Sequence, residues 1–248
     1  NEIWNGSSWT EGTDINTART YLAGSGATST SAIIAGGDNT TVYANTETWN
    51  GSSWTEVSDL NTQRKALAGA GTQTSFLAFA GDPPASGYTG KTESWNGSTW
   101  TEVNDLASAR AFLNSAGADN TSALAMGGYA PPGNQNLVEE WTANVPVGAW
   151  ATTGSVNTAR TQVAMGGAGT TTSALMSAGA PSSGFTGATE SFNGSTWTEV
   201  NDLNQAKRGL AGCGSSNTNA LVFGGQEPPA PSGTYTADTE SWNGSAWT

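Results

Sequence analysis

The chain has 248 residues, with 8 Lys and Arg against 20 Asp and Glu for a formal charge of −12, no His, one Cys, 11 Trp and 33 Gly. Without an imidazole there is no Ser-His-Asp or Cys-His nucleophile, no His general base and no His-ligated metal, so the expectation is no catalysis, no metal and no cofactor. The acidic balance leaves no basic stripe for nucleic acid, and apolar runs such as Ala32 to Ala35 or Phe76 to Ala80 are too short for membrane insertion as a helix.

The chain opens on Trp4-Asn5-Gly6-Ser7-Ser8-Trp9, two aromatic residues around a short polar turn, so residues 1 to 11 read as a lone two-stranded hairpin. The motif returns at Trp49 to Trp54, Trp95 to Trp100, Phe192 to Trp197 and Trp242 to Trp247, and in a stretched form containing Pro146 at Trp141 to Trp150. Its second Trp recurs every 45 to 50 residues, a period in the range of propeller blades. Five complete units follow the hairpin, starting near Tyr21, Ala66, Phe112, Gln162 and Gly209, and each reads as four strands, A to D. In the second unit these are Ala66 to Gly71, Ser75 to Phe79, Thr92 to Trp95 and Thr99 to Val103. Turn signals are dense and no helical period of useful length is present, so the chain is all-β. The Asn-Gly pair between C and D predicts a two-residue type I′ turn in which Trp49 faces Ser52 and Glu47 faces Trp54. That turn also accounts for the Asn-Gly-Ser sequons at Asn5, Asn50, Asn96, Asn193 and Asn243. Gly-rich strings such as Gly166-Gly167-Ala168-Gly169 lie between strands, not before a helix, and are not phosphate loops.

An Arg before strand A, Gly-Gly after strand B, an acid before the aromatic residue of C and a Trp on D together resemble kelch repeats. The resemblance implies a β-propeller with binding on the face that carries the B–C and D–A loops. The near-identical Trp-Asn-Gly-Ser-Ser-Trp-Thr-Glu units also resemble kelch-like repeat proteins of tailed phages of marine bacteria. The chain departs from the pattern at Lys207, where the other units have Arg, and at Ala80-Gly81 and Ala178-Gly179, where they have Gly-Gly. The expected architecture is therefore a kelch-type β-propeller of four-stranded antiparallel blades in one domain spanning 1–248. Six blades are expected, residues 1–11 being half of one whose A and B strands lie in a longer chain, since a closed ring does not readily leave half a blade with open edges.

Removing what the repeat explains isolates a candidate site. All 11 Trp fill repeat slots, so they read as core and not as a sugar-binding surface. Glu2, Glu47, Glu93, Glu139, Glu190 and Glu240 on strand C, with Arg19, Arg64, Arg110, Arg160 and Lys207 before strand A, predict a recurrent buried or half-buried ion pair. Cys213, the single thiol, reads as a small buried side chain. Acids outside the pattern fall largely in the B–C loops, as Asp38, Asp82, Glu227 and Asp238. These loops vary most in length and sequence, and Pro83-Pro84, Pro131-Pro132 and Pro228-Pro229 stiffen three of them. Each carries one aromatic residue: Tyr43, Tyr88, Tyr129, Phe185 and Tyr235. Such rings offer stacking faces at small entropic cost. Two readings stand together: these nine residues bind a ligand, or the rings pin each loop to its blade.

The functional expectation is a non-enzymatic recognition protein, extracellular or on a virion surface as an appendage or adhesin, that takes a glycan or host receptor through the B–C loops. Oligomerisation would multiply weak contacts into avidity. The alternative is a structural decoration or spacer whose partners are other virion subunits.

Overall fold

The structure is a computed structural model and describes residues 1–85, 87–143, 148–164, 168–228 and 233–248. Pro146, Gly166, Gly167 and Pro229 of the sequence reading lie outside the described residues. Among those described there are strands, turns and bridges but no helix.

β1 (Glu2–Trp4) and β2 (Trp9–Glu11) form the opening hairpin. Unit 1 follows as β3 (Ala23–Thr28), β4 (Ser31–Ala35), β5 (Thr46–Trp49) and β6 (Trp54–Val57), and unit 2 as β7 (Ala68–Thr72), β8 (Ser75–Phe79), β9 (Thr92–Trp95) and β10 (Trp100–Val103). Unit 3 has β11 (Asn114–Asp119), β12 (Ser122–Met126), a small loop hairpin of β13 (Tyr129–Ala130) and β14 (Gly133–Asn134), then β15 (Val138–Thr142) and β16 (Ala149–Thr153). Unit 4 has β17 (Ala168–Thr170), β18 (Ser173–Ser177), β19 (Thr189–Phe192) and β20 (Trp197–Val200). Unit 5 has β21 (Ala211–Ser216), β22 (Asn219–Phe223), a second loop hairpin of β23 (Gln226–Glu227) and β24 (Thr234–Tyr235), then β25 (Thr239–Trp242). Its fourth strand is reduced to a bridge from Trp242 to Trp247. Each unit is an antiparallel meander from the Gly/Ala-rich strand outward, and one parallel pairing, Ala168 with Gly214, joins units 4 and 5 into a single sheet. The chain is thus all-β with a propeller-like arrangement of four-stranded antiparallel sheets.

The C–D register corrects the two-residue turn. Trp49 faces Trp54 and Glu47 faces Glu56, with Asn50 to Ser53 as a four-residue loop. The cause is the Asn side chain: Asn50 Oδ1 accepts the amides of Ser52 and Ser53, both at 2.9 Å, and Gly51 takes φ 95°. This Asx geometry recurs at Asn5, Asn96, Asn193 and Asn243. The face predicted to hold Glu47, Trp49, Trp54 and Glu56 survives, because adding two loop residues preserves the alternation. The paired Trp rings meet at 5.4 Å in unit 1 and 5.3 Å in unit 2.

The apolar cores lie between successive units. Ile33 and Ala35 of unit 1 pack with Phe76, Trp95 and Trp100 of unit 2. Leu77 and Phe79 of unit 2 pack with Ala123 and Trp141 of unit 3, and the pattern continues through units 4 and 5. A polar interlock accompanies most of these cores. The D-strand Trp of one unit donates from Nε1 to the Thr that opens strand C of the unit before, as Trp100 does to Thr46, Trp150 to Thr92 and Trp247 to Thr189. Trp9 of the hairpin makes the same bond to Thr239 of unit 5, at 3.2 Å, and its ring meets that of Phe223 at a tilt of 59°, with centroids 4.8 Å apart. On its other side Thr13 donates to the carbonyl of Ser52 in unit 1, so the hairpin stands between unit 5 and unit 1.

Inside each unit the predicted ion pair is present and buried. Arg19 meets Glu47 at 2.5 Å, Arg64 meets Glu93 at 3.3 Å, Arg160 meets Glu190 at 3.0 Å, Lys207 meets Glu240 at 3.2 Å, and Arg110 meets Glu139. The second carboxylate oxygen takes the backbone amide and side-chain amide of Asn16, Asn61, Asn157 or Asn204. Burial alone would raise Glu47, yet Arg19 and Asn16 together hold its carboxyl below the usual range. Burial lowers the Arg64, Arg110 and Arg160 pKa values against the pull of their carboxylates. A pair so desolvated adds little net stability but is costly to break, so it fixes the register of the Asn-x-x-Arg segment against strand C.

Candidate recognition face

The B–C loops are built on the two residues that close strand B. The first of the pair sits in the left-handed region at Gly36, Ala80, Gly127, Ala178 and Gly224. The carbonyl of the second receives the returning limb of the loop, from the amides of Tyr43, Thr89, Gln135, Thr186 and Thr236. The outgoing limb pairs with the segment entering strand A, as Thr20 with Asp38, Lys65 with Asp82, Ala111 with Tyr129, Thr161 with Ala180 and Arg208 with Gln226. B–C loops and D–A entries therefore form one surface.

Contacts run along this surface from loop to loop. Lys65 Nζ of unit 2 donates to Asp38 Oδ2 of unit 1 at 2.9 Å, a bond that raises the Lys65 pKa. Tyr88 of unit 2 meets Tyr129 of unit 3 edge to face, with centroids 5.7 Å apart. Asn134 of unit 3 donates to the carbonyl of Ala180 in unit 4 at 3.0 Å. The Arg208 guanidinium of unit 5 lies 4.6 Å over the ring of Phe185 in unit 4. Burial, then Asp82, then Tyr129 push the Tyr88 phenol above its ordinary pKa.

The nine predicted residues thus divide. Tyr88 and Tyr129 come together because they sit on opposite limbs of their loops, Tyr88 on the return and Tyr129 on the way out. Phe185 is an anchor, held beneath Arg208 and against the backbone of Gly233. Tyr43 is half-buried and its hydroxyl donates to Asn39 of its own loop at 3.3 Å. Tyr235 is 83% exposed on β24. Among the described residues no ring contact joins Tyr43 or Tyr235 to another of the predicted aromatic residues. Asp38 is taken up by Lys65, and Asp82 adds to the field on that lysine. Glu227 lies 3.9 Å from Lys207. Asp238 is exposed, with its backbone carbonyl receiving the Gly224 amide.

Three residues that the sequence reading did not select stand where strand A begins. Tyr21, Phe112 and Gln162 share positive φ values of 53°, 57° and 51°, uncommon for non-glycine residues. Ala66 donates its amide to the Tyr21 carbonyl, Phe112 to that of Ala66, and Gly209 to that of Gln162, so the entries of units 1 to 3 are joined in one run and those of units 4 and 5 in another. Across the first run the rings of Tyr21 and Phe112 meet at 5.7 Å, and Tyr21 stays exposed. The sequence signal was position: each falls two residues after the Arg slot. Cys213, expected to be buried, is exposed on β21, and the protein around it still desolvates it enough to push its thiol up.

Fold and site together define a class: an all-β, propeller-like repeat protein whose variable loops are linked into one belt. No family model matches the chain, and no curated protein matches it. The solved structure of YjhT is similar to it, with a TM-score of 0.78 at 12% identity over 96% of this chain and 85% of that one, a likeness of fold alone.

Proposed function

We propose that this is a kelch-type propeller that works by recognition and not by catalysis, displayed on a virion surface as an appendage or adhesin and taking a glycan or host receptor on its B–C loop belt. The kelch and tailed-phage reading rests on the repeat motifs. The observation that carries the binding reading is the belt itself, in which neighbouring loops brace one another while Tyr235 stands out into solvent. Preorganised loops lose little entropy on binding, and exposed Tyr supplies contact area with a hydroxyl. Tyr88, Tyr129, Tyr235 and Tyr21 are the residues proposed to touch the ligand. Tyr43 and Phe185 serve as anchors, which also suits the second reading, a decoration or spacer contacting neighbouring virion subunits.

The test is an array of bacterial surface polysaccharides probed with the wild-type protein and with a variant carrying Tyr88→Ala, Tyr129→Ala and Tyr235→Ala. Binding that the variant loses, with the melting temperature lowered by no more than a few degrees, supports recognition. The edge-to-face pair accounts for that small loss, at about 1 kcal/mol. Silence from the wild type on every glycan would overturn the proposal in favour of the spacer.

A further inference from the structure

Five of the 8 Lys and Arg fill the buried pairs, Lys65 is taken up by Asp38, and Lys91 by Glu102 at 3.3 Å. Arg208 is left as the one cationic side chain with no carboxylate beside it among the described residues, which include every acid of the chain. Its guanidinium is nonetheless fixed on two sides. The Phe185 ring lies beneath it, and its Nε donates to Gln226 Oε1 at 3.0 Å. Gln226 is fixed in turn, because its Nε2 donates to the Gly233 carbonyl at 3.2 Å. Neither Nη of Arg208 has a hydrogen-bond partner among the described residues, and neither is sealed from solvent. The guanidinium is thus a planar fork of donors, held in place with its two outer nitrogens open.

Register places that fork beside the exposed ring of Tyr235. Arg208 bridges Gln226, and Gln226 pairs with Tyr235 across β23 and β24. Directly paired residues project to the same side of a ladder, so the three side chains share one face, with Gln226 between the cation and the ring. Adjacent strands lie about 4.8 Å apart, which sets the backbones of Arg208 and Tyr235 about 10 Å apart. Alternation turns Glu227 to the other face, where it lies 3.9 Å from Lys207. A guanidinium fork matches the two oxygens of a carboxylate or a phosphate, and a phenol offers a sugar ring a stacking face and a hydroxyl. We propose that Arg208 takes the pendant oxyanion of an acidic sugar, a uronate carboxylate or a sugar phosphate, and that Tyr235 receives a ring of the same saccharide. The assignment rests on the glycan reading above and names the class of glycan. The formal charge of −12 repels a polyanion at long range, but physiological salt screens that repulsion beyond about 8 Å, whereas the fork acts in contact.

The test titrates the wild type and Arg208→Gln with oligogalacturonate and a phosphomannan fragment, each beside its neutral counterpart, and with oligoglutamate. At least one acidic sugar is expected to bind the wild type about tenfold tighter than its neutral counterpart, and the arm that does so identifies carboxylate or phosphate. Arg208→Gln is expected to bring that affinity down to the neutral level with the melting temperature unchanged. The four other arginines are buried, so modification by phenylglyoxal reads Arg208 alone. The acidic sugar at about ten times its Kd is expected to slow that modification of the wild type about tenfold, a readout that needs no variant. Neutral sugars bound as tightly as acidic ones, or an acidic preference that Arg208→Gln keeps, would overturn this proposal and leave the glycan reading standing. Binding of no sugar in any arm would overturn both. Oligoglutamate bound as tightly as the acidic sugar would make the fork a site for acidic peptides and overturn the assignment to a saccharide.

Discussion

At the scale of single residues, the two positions after strand B make different demands. Gly224 has φ 67°, within reach of an L-residue, and a Cβ there would meet nothing nearer than the Thr236 carbonyl oxygen at 3.8 Å. Gly225 has φ 98°, and its Cβ would stand 2.9 Å from the Leu210 Cβ and 3.0 Å from the Arg208 carbonyl oxygen. The backbone difference holds in all five units, with φ of 61–69° in the first position and 97–112° in the second, and it explains why Ala occurs at 80 and 178, in the first position, and the second position keeps Gly throughout. Gly224→Ala is expected to cost about 1 kcal/mol, and Gly225→Ala about 3 kcal/mol or more, from backbone strain plus the clash. Urea midpoints of the two variants check this, and equal losses would contradict it.

At the scale of elements, the interlock between units has two gaps, and one has a visible cause. Among the described residues Trp54 Nε1 and Trp197 Nε1 are buried without a partner, and for Trp197 the position that supplies Thr46, Thr92, Thr189 or Thr239 elsewhere is Val138 in unit 3. Val138→Thr is expected to raise the melting temperature, because a new hydroxyl relieves an orphan donor worth about 1–3 kcal/mol. The same change at Val163, which is fully buried, is expected to lower it. A Val138→Thr variant that melts below wild type would show that the Thr does not hold the Trp. The strands were legible because the motif recurs at every unit, so chance apolar runs were filtered by repetition. The C–D loop length was not, since Asn-Gly marks a turn without saying that the Asn side chain will cap two further amides. Nor were β13–β14 and β23–β24, whose residues show no alternation and which form where the neck bond to the second glycine brings the two limbs together.

At the scale of the whole molecule, the repeat scaffold and the candidate site occupy different residues. Buried Arg–Glu pairs, Trp–Thr interlocks and the apolar cores between units hold the scaffold together. The belt of B–C loops is attached to it at necks made of backbone. The nine candidate residues were readable as a set because subtraction of the repeat leaves little else. Which of them are anchors was not readable, because it depends on the limb of the loop each occupies and on which neighbour it meets. Tyr21 and Phe112 were hidden for the converse reason, since their slot looks like part of the repeat until its backbone angles are seen.

The most direct measurement is binding to intact bacterial cells, by flow cytometry of labelled protein, for wild type and Tyr235→Ala with melting temperatures recorded alongside. Tyr235 is so exposed that its loss is expected to leave melting unchanged within about 0.5 kcal/mol. Cell binding lost at unchanged stability is the result this account predicts, and undiminished binding of Tyr235→Ala to the same cells would contradict it.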